Sequence, residues 1–180
     1  YQEGGSLLLQ GMVIPANAFD NALVWESGNG DVATIGQSGM VSLTGVGKTV
    51  ITLRAQAYPD LTDQMTLYAV TPTLTGPDTL ELDGTGRYSA SLGWTPGADD
   101  PLTIHWSVSD GTVAAIDQSG ALTPLGIGTT KVTAEVYLDD KPTGIQATQD
   151  VVIGMTVTDE TLSRLLDITL TDVNTMVEGE

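Results

Sequence analysis

The chain has 180 residues, lacks cysteine, and carries 23 acidic against 6 basic side chains, for a net charge of −17. Such a negative field repels nucleic acid and anionic membrane surfaces, and the lack of cysteine excludes disulfides and thiolate metal sites. No apolar run approaches the roughly 20 residues of a membrane-spanning helix, so we predict neither nucleic-acid binding nor membrane insertion.

The first part of the chain predicts a series of short strands. Val, Thr, Leu and Ile are abundant, and 21 Gly and 8 Pro interrupt the apolar runs, which favours strands and turns over helices. Asn29-Gly30 and Ser38-Gly39 are turn signals, and Leu23 and Trp25 share one face of an alternating run. The predicted strands cover residues 7–14, 23–27, 32–35, 40–43, 49–57 and 65–70.

The same order of elements then returns. Residues 15–55 align without a gap onto residues 96–136, which places Trp25 on Trp106 and Gln37-Ser38-Gly39 on Gln118-Ser119-Gly120. The predicted strands of this second copy cover residues 88–94, 104–108, 113–116, 121–123, 130–137 and 151–157, and residues 139–148 are expected to form a long polar loop. A self-similar period of this length predicts two small domains in tandem, and such arrays usually span or present rather than catalyse.

Matched positions in the two copies predict the cores. Each Trp lies on the inward face of its strand, where packing across two layers is favoured over exposed stacking on a sugar. The predicted core residues are Trp25, Trp106, Val32, Val113, Ile35 and Ile116.

These residues carry a resemblance to a known family. The runs Val24-Trp25-Glu26-Ser27-Gly28-Asn29, Asp31 to Ile35 and Gly45 to Thr52 resemble the bacterial immunoglobulin (Ig)-like domain, group 2, which is repeated in intimin- and invasin-type adhesins and in surface filaments. The resemblance covers both copies and implies an all-β chain of two tandem Ig-like β-sandwiches without a catalytic site. We therefore expect module 1 at residues 1–70, module 2 at 73–158 and a strand-like C-terminal extension at 159–180.

The two ends of the chain are complementary in sequence. Residues 175–179 resemble residues 79–84, near the start of the second copy, whereas the first copy opens just after the position of that strand. The chain begins at Tyr1 without Met, which suggests a processed or excised product. Module 1 is therefore expected to lack its first strand, and the tail is expected to offer one.

Strand donation between subunits follows as a hypothesis. An unpaired strand and an open sheet edge can satisfy each other's backbone groups, and a head-to-tail contact that does not close gives a filament. The alternative is that the chain was cut from a longer array of modules at this point in the repeat. The predicted donor residues are Leu166, Ile168, Leu170, Val173 and Val177. The predicted acceptor edge contains Leu7, Leu9 and Val13.

The remaining candidate sites favour ordinary roles. His105 alternates with Trp106 and is expected on the surface, and no nucleophile motif lies near it, so we predict no enzymatic activity. The acidic pairs at 60/63, 99–100 and 139–140 follow no recognised calcium loop. We predict no cofactor, and calcium binding at these carboxylates is the alternative.

The function predicted from the sequence is that of a structural subunit or stalk segment of a bacterial surface fibre or adhesin, located outside the cell. Its predicted partner is a second copy of itself or a neighbouring Ig-like module of the same array. A carbohydrate-binding accessory module of a secreted enzyme is an alternative that would use exposed aromatics such as Tyr88 and Tyr137. A phage virion decoration protein is another.

Overall fold

The computed structural model describes residues 1–14 and 20–156. In these residues every regular element is a β-strand, and no helix is present that could cross a membrane. The first module contains β1 (Ser6–Leu8), β2 (Leu23–Ser27), β3 (Ala33–Ile35), β4 (Met40–Leu43), β5 (Gly47–Ala55) and β6 (Thr62–Ala69). The second contains β7 (Thr73–Thr75), β8 (Thr79–Glu81), β9 (Gly86–Arg87), β10 (Ser89–Ser91), β11 (Leu102–Val108), β12 (Ala114–Ile116), β13 (Ala121–Pro124), β14 (Gly128–Leu138) and β15 (Lys141–Gly154).

Each module is a sandwich of two sheets with the same strand order. In module 1 the sheets are β1-β4-β3 and β2-β5-β6, and in module 2 they are β9-β13-β12 and β11-β14-β15, the second extended by β8. Module 2 also has a small two-stranded sheet, formed by β7 and β10. The two inner faces enclose separate cores centred on Val41 and Leu67 in module 1 and on Leu122 and Val151 in module 2. The all-β, tandem Ig-like fold predicted from the sequence is confirmed.

The repeated tripeptide Gln-Ser-Gly has a structural role in both modules. The Gln37 side chain accepts a hydrogen bond from the Trp25 N–H at 3.1 Å and donates one to the Trp25 carbonyl at 3.0 Å. Gln118 makes the same two bonds to Trp106, both at 3.1 Å. β2 and β11 are edge strands that pair on one side with β5 and β14, and in the described residues these Gln side chains continue the hydrogen bonding on the other side, which holds each Trp against its core.

The glycine of the same tripeptide is required by its backbone. Gly39 and Gly120 have φ of 83° and 79°, a region that favours glycine. A Cβ atom at either position would also lie within 2.4 Å of the carbonyl oxygen of Leu9 or Tyr88. The two chain segments can approach this closely only because the position has no side chain.

A buried threonine hydroxyl is the second feature that the two modules share. Thr49 and Thr130 are 4% and 2% exposed, and their hydroxyls accept the N–H of Asn29 at 2.8 Å and of Asp110 at 3.0 Å. A turn that would otherwise leave a backbone donor unpaired inside the sandwich is thereby satisfied.

Three sequence predictions are corrected by the structure. The strand predicted at 7–14 is limited to β1, and the strand predicted at 88–94 is limited to β10, which begins after Tyr88 and ends at Ser91. The polar segment 139–148 is not a loop: Asp139 and Asp140 have φ of 50° and 59° and form a two-residue turn, and β15 begins at Lys141. Positive φ at both turn residues matches the twist of a tight hairpin, which allows pairing to resume at once.

Candidate functional site

The two modules meet end to end through an apolar joint. Val70, Leu92 and Val136 are at most 5% exposed and form one cluster across the boundary, with Leu102 and Ile145 packed on it. The N–H of Thr71 donates to the Leu92 carbonyl at 3.0 Å. The chain between the modules is therefore held by packing and hydrogen bonding, and is more tightly fixed than its short Pro-bearing sequence indicates.

An ion pair lies beside this cluster and also joins the modules. Lys48 Nζ of β5 donates to Asp100 Oδ1 of module 2 at 2.7 Å, and the Asp100 side chain is only 3% exposed. The Gly97 N–H donates to Asp100 Oδ2 at 2.8 Å, and the Tyr68 hydroxyl lies 3.5 Å from Oδ1. Asp100 thus has donors from both modules.

These donors favour the charged form of the carboxylate. The hydrogen bond from Lys48 and then that from the Gly97 N–H lower the pKa of Asp100, and the same contact raises the pKa of Lys48. Burial and the nearby Asp100 charge raise the pKa of Tyr68, which stays a neutral donor. Near neutral pH Asp100 and Lys48 are therefore both charged and form an ion pair at the joint.

A small apolar cavity opens at the same joint. It has a volume of about 200 Å³ and lies between β6 and the β14–β15 hairpin. Its lining includes Tyr68, Val70, Leu102, Val136 and Ile145. Its walls come from both modules, so its shape depends on how the joint is packed.

The second feature is an open edge in module 1. In module 2, β7 pairs antiparallel with β10, so that Thr73, Leu74 and Thr75 lie opposite Ser91, Ala90 and Ser89. Residues 10–12 of module 1 correspond to β10, because Leu9 N–H donates to Gly39 O as Tyr88 N–H donates to Gly120 O. In the described part of module 1, no strand pairs with residues 10–12.

The predicted acceptor residues fall on or near this edge. Leu7 lies in β1 opposite Val41, and both Leu7 and Leu9 pack against the first core. Val13 is partly buried and lines a groove with Met12, which is 77% exposed. The predicted donor residues Leu166, Ile168, Leu170, Val173 and Val177 lie outside the described residues.

The predicted core residues lie at the cores. Val32 and Val113 are buried, at 5% and 8% exposure. The other four, which are Trp25, Trp106, Ile35 and Ile116, are partly buried and pack against the two clusters.

The aromatic candidates for sugar binding are not arranged for it. Tyr88 is 2% exposed, and its hydroxyl donates to the Pro77 carbonyl at 2.6 Å, so its proposed role as an exposed aromatic is wrong. Burial and the Asp78 charge raise the pKa of Tyr88. His105 is partly buried and stacks on Tyr137 with ring centres 3.8 Å apart, because the two residues are diagonal neighbours on β11 and β14.

The acidic clusters hold no assembled metal site in residues 1–14 and 20–156, where no three His, Cys, Asp or Glu side chains come together. Asp100 is paired with Lys48, and Asp139 and Asp140 form the β14–β15 turn. Sequence reasoning missed Lys48, Asp100 and Leu92 as joint residues. The only sequence signal was that the second copy departs from the first at residues 95–99, just before Asp100.

The amino-acid sequence of this chain is similar to that of known proteins. The profile of the bacterial Ig-like domain (group 2) family matches residues 1–64. Ice-binding protein 1 of Shewanella frigidimarina (strain NCIMB 400) is 27% identical over 154 residues, a match that covers 81% of this chain and 16% of that protein. The chain thus corresponds to a small part of that relative.

Two solved structures are also similar. A C-terminal 282-residue fragment of intimin, in complex with the intimin-binding domain of its translocated receptor, is 19% identical with a TM-score of 0.45, covering 72% of this chain and 50% of that one. Invasin, a bacterial integrin-binding protein, is 17% identical with a TM-score of 0.46, covering 76% and 32%. From its strand order and its repeated core, the chain is a tandem pair of Ig-like β-sandwiches, and residues 1–64 in its first module match the bacterial Ig-like domain (group 2) family.

Proposed function

We propose that this chain is a non-enzymatic structural segment of an extracellular bacterial fibre or adhesin, in which two Ig-like modules form a stiff spacer. The packed joint is the observation that carries this function. A spacer must hold an end-to-end distance, and it does so only if its modules do not pivot freely. The buried cluster around Val70 and the paired Asp100 restrict that pivoting.

Three further observations support the proposal. Carboxylates that could serve as acids or bases are engaged in structural contacts: Asp100 with Lys48, Asp110 with Thr112 and Asp117 with Ser119. The relative from Shewanella is matched over only 16% of its length, which is expected when the shared part is one segment of a longer array. The net charge of −17 favours a solvated surface.

The stiffness of the joint is the property to measure. Small-angle X-ray scattering of the full chain should show one elongated shape at physiological salt. The double variant Leu92→Ala with Asp100→Asn removes apolar contact and charge pairing from the joint, and should broaden the distribution of end-to-end distances. Asp150→Asn is the matched control, because Asp150 pairs with Lys131 within module 2 at the same 2.7 Å.

The expected result is a broadened distribution for the joint variant and an unchanged one for Asp150→Asn. A wild-type chain whose modules already tumble independently would contradict the spacer function. Labelling of intact cells of the source organism with an antibody against the two modules tests the extracellular location, and staining only after lysis would contradict it.

We propose that such segments assemble head to tail, with the C-terminal extension supplying a strand to a neighbouring module. A second copy of the chain is the proposed partner.

A further inference from the structure

The second module shows what a first strand does in this fold. Leu74 of β7 lies opposite Ala90 and packs against the second core, and the Gln149 side chain donates to the Gly76 carbonyl at 2.9 Å. β7 therefore covers the edge of the core and is anchored at its end to β15.

Module 1 has a groove at the corresponding place. A cavity of about 130 Å³ is lined by Leu9, Gln10, Trp25, Ile51 and Met65, among others. Leu9, Trp25 and Ile51 correspond to Tyr88, Trp106 and Val132, which belong to or pack on the core that Leu74 joins in module 2. Met65 is 37% exposed there. The groove is the site that β7 fills in the second module.

We propose that residues 169–175 of a second copy of this chain fill this groove as the strand that β7 supplies in module 2, an inference that rests on the proposed structural function. The tail has the sequence of β7: Thr169-Leu170-Thr171 repeats Thr73-Leu74-Thr75, and Thr175 follows at the same spacing as Thr79. This register places Leu170 opposite Gly11, with Thr169 opposite Met12.

The differences between the tail and β7 match the differences between the two grooves. A Cβ atom on Gly76 would lie 2.1 Å from the Tyr88 ring, so glycine is required beside that Tyr. Module 1 has the smaller Leu9 at the Tyr88 position, and the tail has Asp172 at the Gly76 position. Asp172 is therefore accommodated by module 1, whereas it would collide with Tyr88 in module 2.

The same register limits the docked segment. Gln2 forms a parallel bridge with Val70 in module 1, as Glu81 pairs with Gly154 in module 2. Residues of the tail beyond Thr175 would coincide with Tyr1 to Glu3. Of the five donor residues predicted from the sequence, Leu170 and Val173 thus fall inside the docked segment, and Leu166, Ile168 and Val177 fall outside it.

The geometry favours a second copy over the same chain. From Gly128, beside the end of β15, to Val136 at the joint, eight residue steps span about 26 Å. Along β5 from Gly47 to Leu53, which lies beside Gly11, six steps span about 20 Å. Contact across the joint adds about 4 Å. The fifteen steps from Gly154 to Thr169 reach at most about 50–54 Å when fully extended. A chain's own tail would therefore have to be almost fully extended to enter its groove from the far end, whereas the tail of a second copy is under no such constraint.

Disulfide trapping tests both the register and the partner, because the chain has no cysteine of its own. Opposed residues in an antiparallel pair have Cα atoms about 4.5–5.5 Å apart, within the range that a disulfide bridges. The double variant Met12→Cys with Thr169→Cys should form covalent ladders under mild oxidation. The control Met12→Cys with Ser163→Cys should crosslink at least about tenfold more slowly.

Each outcome decides the proposal. A ladder for the Thr169 variant, together with a single dimer when Met12→Cys and Thr169→Cys chains are mixed, supports donation to a second copy. A fast-migrating crosslinked monomer would overturn the second copy as the partner. Equal crosslinking at positions 163 and 169, or none at either, would overturn the docking.

A second measurement uses no cysteine. Leu170→Asp should abolish concentration-dependent oligomers in analytical ultracentrifugation, and Leu166→Asp should leave them in place. The reverse pattern would overturn the register. Joint stiffness is measured separately by scattering, so a failure of strand docking is distinguishable from a failure of the spacer function.

Discussion

The two modules share a fold, yet they differ at one edge. In module 2, β7 covers the core beside β10, and Tyr88 fixes the turn after β7 through its hydroxyl. In module 1, the corresponding residues 10–12 have no strand partner in the described chain, and Leu9 replaces Tyr88. The two modules otherwise share their sheets and the positions of their cores. This edge of module 1 is therefore the place where the proposed strand donation is to be tested.

The largest expected effect on stability comes from truncating a buried leucine in either core. Leu67 and Leu122 are 0% and 1% exposed, so each change to Ala should cost about 2–5 kcal/mol of unfolding free energy. Hydrogen exchange resolved by peptide should show lost protection in the mutated module. Equal loss in both modules would show that the joint couples them into one folding unit.

Tyr88→Leu makes module 2 resemble module 1. Loss of the ring beside Gly76 and of the hydrogen bond to Pro77 should cost about 2 kcal/mol, measured by urea unfolding. Tyr88→Phe is the matched control and should lose only the hydroxyl's share, about 1 kcal/mol. If both variants cost the same, the ring is not what holds β7 in place.

The hydrogen bonds from Gln37 and Gln118 to the Trp backbones should stabilise the two modules equally. Gln37→Ala and Gln118→Ala each remove two hydrogen bonds to a Trp backbone, and each should cost about 1–2 kcal/mol. Gln56→Ala, at an exposed position after β5, serves as the control in the same unfolding experiment. If Gln37→Ala and Gln118→Ala change the unfolding free energy by clearly different amounts, the open edge weakens module 1 as far as Trp25.

The smallest effect is expected from protonating carboxylates inside a module by acid, and apart from the Lys48–Asp100 pair at the joint it should fall on the turns of module 2. Hydrogen bonds from Thr112 and from Ser119 lower the pKa values of Asp110 and Asp117 below their ordinary 3.8. A lowered folded pKa means that stabilisation is present above pH 3.8 and is lost as pH falls through the folded value.

Module 1 offers the comparison for this acid effect. It has Asn29 and Gly36 at the positions of Asp110 and Asp117, so its turns contain no carboxylate there. Exchange of the backbone amides of Thr112 and Ser119 should accelerate between pH 4 and pH 2 after correction for intrinsic rates. Equal acceleration in the matching turns of module 1 would contradict this cause.

Local patterns in the sequence gave the positions of most strands. The inward alternation around Trp25 and the Asn29-Gly30 turn are fixed by neighbours in the chain, and the structure places both as predicted. Prediction failed where pairing with a distant segment decides the outcome. Residues 10–14 have a strand-like sequence, but none of the described strands pairs with them and they are not part of a strand. Residues 141–148 look polar, yet they form the first part of β15 because β14 lies alongside.

The sequence by itself determined that this protein is a repeated all-β chain, because strand periodicity, turn residues and the Gln-Ser-Gly match are local properties that recur at a fixed spacing. It also carried the likeness between the tail and β7. Only the tertiary structure decided that Tyr88 is buried, that Lys48 reaches Asp100 across the joint, and that a groove lies beside residues 10–12. These features join residues far apart in the chain, and their energies come from burial and pairing that no local pattern records.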